Sequence, residues 1–313
     1  MKLRKSRILA CLRDKRFPMT VKINLTDPRV TEIAGIVGVD GVWLCNEHVP
    51  GDWLMLEHQI RAARIHDIDT LVRVSRGSYS EYIKPLEAGA TGIIVPHVET
   101  ASEAQQIVDM VRFHPLGKRA IDGGNVDGLF CRAPMDKYLS HANNEILLVL
   151  QIESPLALRN LNEIARVIGY DALMFGSGDY AHLIGKPGQF DAPEVIAGRK
   201  MVAAAATHNG KYTMCAGMVA DLGALIAEGH SIFNIGSDVW GLGEYFSQML
   251  AAQIESFNQI DQQRRDSGEA SSASHAGQPV EEGGGQASAG VVKQAGRHHG
   301  SRCADLGEGA VSR

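Results

Sequence analysis

The sequence predicts an α/β protein in which eight parallel strands close into a (β/α)8 TIM barrel. Eight short apolar runs alternate with stretches of helical periodicity, and this order of elements is typical of a parallel sheet. All of the Phe, Tyr and Trp residues lie in the first 260 residues, and about 250 residues is the usual length of such a barrel. An open doubly wound sheet is the alternative, but no G-x-G-x-x-G pattern follows the first predicted strand.

Each predicted strand is a short run of mostly aliphatic residues bounded by turn-forming ones. The eight strands are predicted at Met19–Ile23, Gly41–Cys45, Thr70–Val74, Gly92–Val95, Glu145–Ile152, Ala172–Phe175, Tyr212–Cys215 and Ser231–Ile235.

Capping residues and apolar residues three or four positions apart predict the helices, as at Asn24–Pro28, where a capping signal precedes a proline. The segment Phe113–Asn144 breaks the alternation, and a long irregular segment in a compact domain is often functional. Helices are predicted from Pro28 to about Val37 and at Trp53–Ile65, Ser78–Ala88, Thr100–Arg112, Met135–His141, Leu156–Val167, Pro193–His208, Val219–Glu228 and Gly243–Gln259.

Composition divides the chain into a barrel domain, residues 1–260, and a low-complexity tail, residues 261–313. The tail has no aromatic residue and contains 10 of the 34 glycines. Such a segment cannot bury enough apolar surface to offset the entropy of ordering it, so we expect the tail to be disordered.

Charge and targeting features exclude several classes of protein. The net charge of −5 argues against a nucleic-acid binder, and no apolar run approaches the length of a membrane span. The basic N-terminus has no apolar core of a secretory signal, and the five cysteines show no C-x-x-C spacing. We therefore expect a cytoplasmic protein without a structural zinc site.

Two carboxylates, Glu153 and Asp179, follow consecutive predicted strands, at the barrel end where chemistry is built. Two carboxylates that converge repel each other unless a cation or a proton lies between them, and oxygen ligands suit Mg²⁺ or Mn²⁺. The alternative is that each carboxylate caps the next helix. Gln151 shares a strand face with Glu153, as a substrate contact or a buried polar residue.

Further polar candidates follow other strands. Arg73 would either stabilise an oxyanion or form a structural salt bridge. His48 directly follows the second strand and is the first candidate base, with His97 as its main competitor. The small residues before Asp179, including Gly178, would expose backbone N–H groups to an anion. Lys22 is the only lysine on a predicted strand, which disfavours imine chemistry.

Taken together, these motifs resemble those of the HpcH/HpaI aldolases, the metal-dependent class II pyruvate aldolases that act on 2-keto-3-deoxy acids. Their spacing is similar to the family's from about Met19 to Met249. The matching stretches are Trp43–Pro50, Val72–Val74, Glu87–Ala90, Ile94–Thr100, Gln151–Ser154 and Gly176–Asp179.

The resemblance implies a barrel of the phosphoenolpyruvate/pyruvate-binding type and gives each candidate a role. Glu153 and Asp179 would bind a divalent metal ion (Mg²⁺, Mn²⁺ or Co²⁺), and Arg73 would stabilise the enolate. His48 would be the base, acting through water, and Glu87 would raise its basicity. It also implies that Gln151, with the backbone of Gly178 and Asp179, contacts the pyruvyl group. Finally, it implies a homohexamer that exchanges the last helix, Gly243–Gln259.

This chain departs from the family pattern at three places. Cys45-Asn46 stands where many members have Asp-Gly, so an acidic group near the mouth is lost. Gly176-Ser177-Gly178-Asp179 replaces Gly-Pro-Ala-Asp, and the loop Lys118–Asn125 also differs. We expect these changes to affect the base network or the choice of aldehyde.

The predicted reaction is reversible retro-aldol cleavage of a 4-hydroxy-2-oxo acid to pyruvate and an aldehyde. The same site would also suit an oxaloacetate decarboxylase or a lyase for a CoA thioester such as malyl-CoA. A non-catalytic barrel is a third hypothesis, but the joint presence of His48, Arg73, Glu153 and Asp179 argues against it. The expected partners are a small 2-oxo acid, an aldehyde and further copies of the chain.

Overall fold

The eight strands of the protein form a closed parallel barrel in sequence order, which confirms the predicted fold class. The computed structural model describes residues 2–216 and 222–268, which belong to one structural unit. The strands are β1 (Met19–Ile23), β2 (Gly41–Cys45), β3 (Asp69–Arg73), β4 (Gly92–Val95), β5 (Leu147–Ile152), β6 (Ala172–Phe175), β7 (Tyr212–Ala216) and β8 (Ile232–Ser237).

Helices surround the barrel, and one precedes it. They are α1 (Arg7–Arg13), α2 (Pro28–Val37), α3 (Trp53–Ile65), α4 (Tyr79–Glu87), α5 (Ala101–Val111), α6 (Met135–Glu145), α7 (Pro155–Arg159), α8 (Leu161–Ala165), α9 (Ser177–Leu183), α10 (Pro193–His208), α11 (Leu222–Ala227) and α12 (Asp238–Asp266). Within the described ranges, no helix combines the length and the apolar character needed to cross a bilayer.

Side-chain caps explain where several helices begin. Asp27 accepts the N–H of Arg29 ahead of α2, and Asp52 accepts that of Met55 ahead of α3. Thr100 and Glu103 form a reciprocal capping box at the start of α5. Each of these caps lies in the segment that follows a strand, so α2, α3 and α5 begin after the C-terminal ends of β1, β2 and β4.

Alternate residues of each strand face the inside of the barrel, and this alternation decides which side chains reach the mouth. The inner cluster includes Trp43 of β2, Leu71 of β3, Val149 of β5 and Met174 of β6, whereas their sequence neighbours pack outward against helices. Residues two positions further along these strands therefore face the C-terminal opening.

Helix α1, which the sequence analysis did not predict, closes the opposite end of the barrel. Its residues Ile8 and Leu9 belong to the inner cluster. Asp69, at the start of β3, accepts hydrogen bonds from the Ser6 hydroxyl (2.6 Å) and the Ile8 N–H (2.8 Å), and Arg4 pairs with its other oxygen at 2.7 Å. This buried carboxylate holds α1 against the N-terminal end of the barrel. The open end is therefore the mouth, which the C-terminal ends of the strands form.

Several element boundaries differ from the predicted ones. Strand β3 begins and ends one residue earlier, and the helix predicted at Leu156–Val167 is divided into α7 and α8. Helix α9 was not predicted, and residues 219–221 of the predicted helix Val219–Glu228 lie outside the described residues. Helix α12 continues to Asp266, six residues into the segment expected to be disordered.

Candidate active site

Two strands, β3 and β5, bring three of the predicted site residues to the C-terminal mouth. Arg73 ends β3 two residues after the inward-facing Leu71. Gln151 and Glu153 continue the inward row of β5 that begins at Leu147 and Val149. The structure thus brings Arg73, Gln151 and Glu153 to one end of the barrel, as the strand alternation predicts.

Glu153 is the most deeply buried acid of the mouth, with 1% of its surface exposed. Its Oε1 accepts the backbone N–H of His97 at 2.6 Å, and its Oε2 accepts the side-chain amide of Gln151. Burial raises the pKa of Glu153 to about 7; the His97 N–H opposes this rise, and the charge of Asp179 adds to it. The environment therefore disfavours a negative charge on Glu153 beside that of Asp179 unless a cation lies between the two carboxylates.

Asp179 lies in the first turn of α9, close enough to Glu153 to raise its pKa. Within the described part of the chain, its carboxylate has no hydrogen-bond or ion-pair partner. Gln151 has a related deficit, because its buried Oε1 also has no hydrogen-bond partner there. The Asp179 carboxylate and the Gln151 amide oxygen are therefore available to a ligand, beside a Glu153 carboxylate whose two oxygens each accept one hydrogen bond.

Gly176 allows β5 and β6 to approach each other at the mouth. A Cβ on this residue would lie 2.5 Å from Glu153 Oε2 and 2.9 Å from Gln151 Nε2. Only a glycine leaves room for the Glu153 carboxylate in its present position. Gly178, by contrast, is exposed and has open space around it, so its expected role in binding substrate stays a prediction.

Arg73 is held by Glu47, Cys45 and Trp43. Its Nε lies 3.0 Å from Glu47 Oε2, and its terminal N–H group donates to Cys45 Sγ at 3.1 Å. Its guanidinium carbon lies 5.0 Å from the centre of the Trp43 ring, which gives a cation–π contact. The guanidinium is therefore fixed in place by an ion pair at the mouth, and its role in stabilising an oxyanion stays a prediction.

Two histidines contact Glu47, but with different freedom. His97 places Nδ1 3.1 Å from Glu153 Oε1 and Nε2 3.3 Å from Glu47 Oε1, so both ring nitrogens face carboxylates. Its backbone has a φ of +54°, a strained conformation for a residue with a side chain. His48 uses only Nε2, 3.4 Å from Glu47 Oε2, and 59% of its side chain is exposed.

Among the described residues of this single chain, Glu87 contacts Arg119 and Asn125 rather than His48, so its expected effect on the basicity of His48 stays a prediction. It ends α4 and lies 3.9 Å from the Arg119 guanidinium and 3.4 Å from the Asn125 amide. Burial raises its pKa, which Arg119 partly opposes. Helix α4 packs outside the barrel, so its last residue faces the loop after α5, and the carboxylate that contacts His48 is Glu47.

Sequence reasoning gave Glu47 no role, although it contacts Arg73, His48 and His97. Its place beside His48 offered a hint, but the three contacts depend on strands that are distant in sequence. Cys45 was noted only as a departure from the family pattern, yet it is a direct neighbour of Arg73. The register of β2 against β3 aligns Cys45 with Arg73, and Glu47 follows Cys45 by two residues. Their contacts with Arg73 therefore depend on the pairing of these two strands.

The chemistry of the mouth fits a divalent cation. Among the described residues, no group of three or more His, Cys, Asp and Glu side chains could hold a metal by itself. Mg²⁺ is often bound by one or two carboxylates, with water and substrate as its other ligands. Glu153 and Asp179 supply such a pair. Burial, and to a smaller extent the charge of Asp179, raises the pKa of Glu153, and a bound cation would oppose this rise.

The protein is a closed parallel barrel. Carboxylates, an arginine and histidines lie together at its C-terminal mouth, which is the arrangement of a TIM-barrel enzyme. The chain belongs to the HpcH/HpaI aldolase/citrate lyase family, whose model matches residues 20–242. This confirms the resemblance inferred from the sequence motifs.

Individual relatives carry several reaction names. A 2-keto-3-deoxy-L-rhamnonate aldolase from Salmonella gallinarum is 32% identical over 173 residues, which cover 55% of this chain and 64% of the relative. The chain therefore matches somewhat less than two thirds of that relative's length. The crystal structure of citrate synthase SbnG is similar with a TM-score of 0.75 and 26% identity, covering 81% of this chain and 99% of that one. Macrophomate synthase is similar with a TM-score of 0.74 and 28% identity, covering 83% and 93%.

Proposed function

We propose that this protein is a metal-dependent carbon–carbon lyase that reversibly cleaves a 4-hydroxy-2-oxo acid, of the 2-keto-3-deoxy type, to pyruvate and an aldehyde. The observation that carries the proposal is the juxtaposition of the buried Glu153 and Asp179 at the barrel mouth that also holds Arg73. Membership of the aldolase/citrate lyase family and the name of the rhamnonate aldolase relative support the same reaction class.

In this proposal Glu153 and Asp179 hold a divalent cation, which would be Mg²⁺, Mn²⁺ or Co²⁺. When bound, the cation supplies Lewis-acid polarisation of the 2-oxo acid. Gln151 lies beside Glu153, and its free Oε1 and the N–H groups at Gly178 are the groups proposed to orient the pyruvyl part of the substrate.

Arg73 has the geometry for stabilising the enolate. As C3–C4 breaks, its electron pair moves into the C2–C3 bond, and negative charge grows on the C2 oxygen. A guanidinium fixed by Glu47 and Cys45 needs no rearrangement to meet that charge. Protonation of the enolate at C3 then gives pyruvate.

We assign the base to His48 rather than to His97. The base must accept the C4 hydroxyl proton, so it needs a ring nitrogen that does not already donate to a carboxylate. Both nitrogens of His97 face carboxylates, whereas His48 Nδ1 is free of any such partner among the described residues. Glu47 orients His48, the role that the sequence had suggested for Glu87.

The direct test is metal-dependent pyruvate formation from 4-hydroxy-2-oxo acids, followed with lactate dehydrogenase. EDTA should abolish turnover, and Mg²⁺, Mn²⁺ or Co²⁺ should restore it. Glu153→Gln and Asp179→Asn should lose activity while remaining folded, and His48→Ala should lose more kcat than His97→Ala does. Full metal-dependent turnover by either carboxylate variant would refute the proposal.

The same assay should include oxaloacetate and malyl-CoA. Both substrates lead to a comparable enolate, so a decarboxylase or a CoA-thioester lyase would use the same carboxylates and the same arginine. Faster turnover of either compound than of every hydroxy-oxo acid would keep the site and change the named reaction. Absence of turnover and of divalent-metal binding by calorimetry would favour the non-catalytic barrel.

We also propose that the chain forms a homo-oligomer through α12, by resemblance a hexamer. This helix of 29 residues has no buried residue, and it exposes large apolar side chains, including 60% of Trp240 and 61% of Phe246. An exposed apolar surface of this extent is typical of an interface. Light scattering should give a multiple of the chain mass, and a Trp240→Glu/Phe246→Glu variant should dissociate; a monomeric wild type would refute this.

A further inference from the structure

Lys22 is a cation at the mouth that the proposed reaction does not use. It shares the inward face of β1 with Thr20, and its register partner on β2 is the inward-facing Trp43. Its ammonium lies 5.3 Å from the centre of the Trp43 ring, the same ring that contacts Arg73. Two cations from different strands therefore meet on one aromatic side chain just below the opening.

The Lys22 ammonium has no hydrogen-bond or ion-pair partner among the described residues. The two carboxylates whose charges act on Lys22 already have other partners. Glu47 contacts Arg73 and the two histidines, and Asp238 accepts the backbone N–H groups of Asn24 and Leu25, both at 2.9 Å. A half-buried ammonium without an anion is costly, and the aromatic ring compensates only part of that cost.

The electrostatics agree with this geometry. Burial lowers the pKa of Lys22, and the nearby charge of Arg73 lowers it further. The charge of a bound anion would act in the opposite direction and favour the charged form of Lys22. The pair of cations, Lys22 and Arg73, would therefore favour binding of a ligand that carries a negative charge.

We propose that Lys22 determines specificity by binding a carboxylate on the aldehyde part of the substrate, so that the preferred aldehyde is an acidic one. This inference rests on the proposed function. There, the cation site and Arg73 take the 2-oxo acid group. Lys22 is left for a second anionic group, and in a 4-hydroxy-2-oxo acid that group has to lie beyond C4.

The test compares matched aldehydes in the aldol direction with pyruvate. Glyoxylate is paired with glycolaldehyde, and succinic semialdehyde with butanal. We expect Lys22→Met to raise the KM of each acidic aldehyde by roughly tenfold or more, the effect of losing one charged hydrogen bond. The KM of each neutral aldehyde should change less than about threefold, and Lys22→Arg should retain the wild-type preference.

Lys84→Met is the matched control, because Lys84 of α4 makes a similar cation–π contact with a helical residue, 5.1 Å from the centre of the Trp53 ring of α3. It should leave both aldehyde classes unchanged. Equal loss on acidic and neutral aldehydes in Lys22→Met, or no loss on either, would overturn the inference and make Lys22 a structural residue. A borohydride-stable pyruvate adduct on Lys22 would overturn it in favour of imine chemistry.

A binding measurement separates this inference from the proposed reaction. Calorimetry with succinate and butyrate should show that Lys22→Met weakens succinate binding about tenfold and leaves butyrate binding unchanged. If no aldehyde is turned over but this difference is present, the anion site stands and the proposed function fails. If turnover is metal-dependent but the difference is absent in both assays, the function stands and the role of Lys22 fails.

Discussion

Replacing Glu153 by glutamine is expected to stabilise the metal-free protein above pH 7. Burial raises the pKa of this carboxyl from 4.5 to about 7. Each pKa unit corresponds to about 1.4 kcal/mol, so the ionised side chain costs the native state about 3 kcal/mol. A glutamine removes that cost and can still accept the His97 N–H. Its own amide can donate to Gln151 once the Gln151 side-chain amide, whose Nε2 faces Glu153 in the wild type, turns over and presents its unpartnered Oε1.

The pH dependence has a definite sign. A carboxyl whose pKa is raised by folding is protonated more readily in the native state than in the unfolded state. The wild type should therefore lose stability as the pH rises from about 4.5 to about 7 and should change little from this source above that range. The variant lacks this dependence, so the two proteins should differ little at pH 4.5 and most at pH 8.

Thermal unfolding in EDTA at pH 4.5 and pH 8 measures the effect. About 3 kcal/mol corresponds to a Tm difference of roughly 6–12 °C for a domain of this size. Added Mg²⁺ should raise the Tm of the wild type and not that of the variant. A variant with the lower Tm at pH 8, or with the same pH profile as the wild type, would refute the reasoning.

Glu103→Gln provides a control with the opposite sign. Burial opposes ionisation of Glu103, but the N–H of Glu99 and the Arg76 guanidinium outweigh burial and lower the pKa. Its stabilising effect is therefore present above about pH 4.5 and is lost as the pH falls below that value. Glu103→Gln should have a lower Tm than the wild type at pH 8, and the difference should shrink in acid.

Three further substitutions test the anchor of α1, the close packing of Gly176 against Glu153, and the contacts of Glu47 with Arg73. Asp69→Asn should destabilise the protein by about 3 kcal/mol in urea unfolding, because it breaks a buried ion pair and the anchor of the N-terminal helix. Gly176→Ala should weaken metal binding in calorimetry by displacing the Glu153 carboxylate, and unchanged affinity would contradict the distance argument. Glu47→Gln should reduce kcat/KM by roughly a hundredfold by loosening Arg73, with a melting temperature close to that of the wild type.

The barrel was predictable because local patterns and global architecture agree. The alternation along the fifth strand placed Gln151 and Glu153 on the same strand face before any contact was known. Helix α1 was missed, since a helix of seven residues with basic neighbours has too little periodicity to stand out. Its placement depends on Asp69, which lies more than 50 residues away and binds it only in the folded barrel.

The site was predicted less completely than the fold. Family motifs pointed to His48, Arg73 and Glu153, but the motif around Glu87 suggested a partner that α4 directs toward Arg119. The bridging role of Glu47 could not be inferred from its own strand, because it depends on groups that β3 and β4 contribute. Residues whose role lies in contacts between strands are those that a linear pattern describes least well.

The replacement of an acidic residue by Cys45 changes the charge balance around Arg73 and Lys22. Where many family members have an acidic residue, this chain gives Arg73 a sulfur atom, a weak acceptor. Glu47 then remains as the one carboxylate that contacts Arg73 in the described part of the chain, and two histidines share it. The side of the mouth formed by β1, β2 and β3 thus presents Arg73 and Lys22 with less compensating negative charge than the family pattern provides. A substrate that brings its own second carboxylate would meet that imbalance, which links the change in sequence to the inferred preference for an acidic aldehyde.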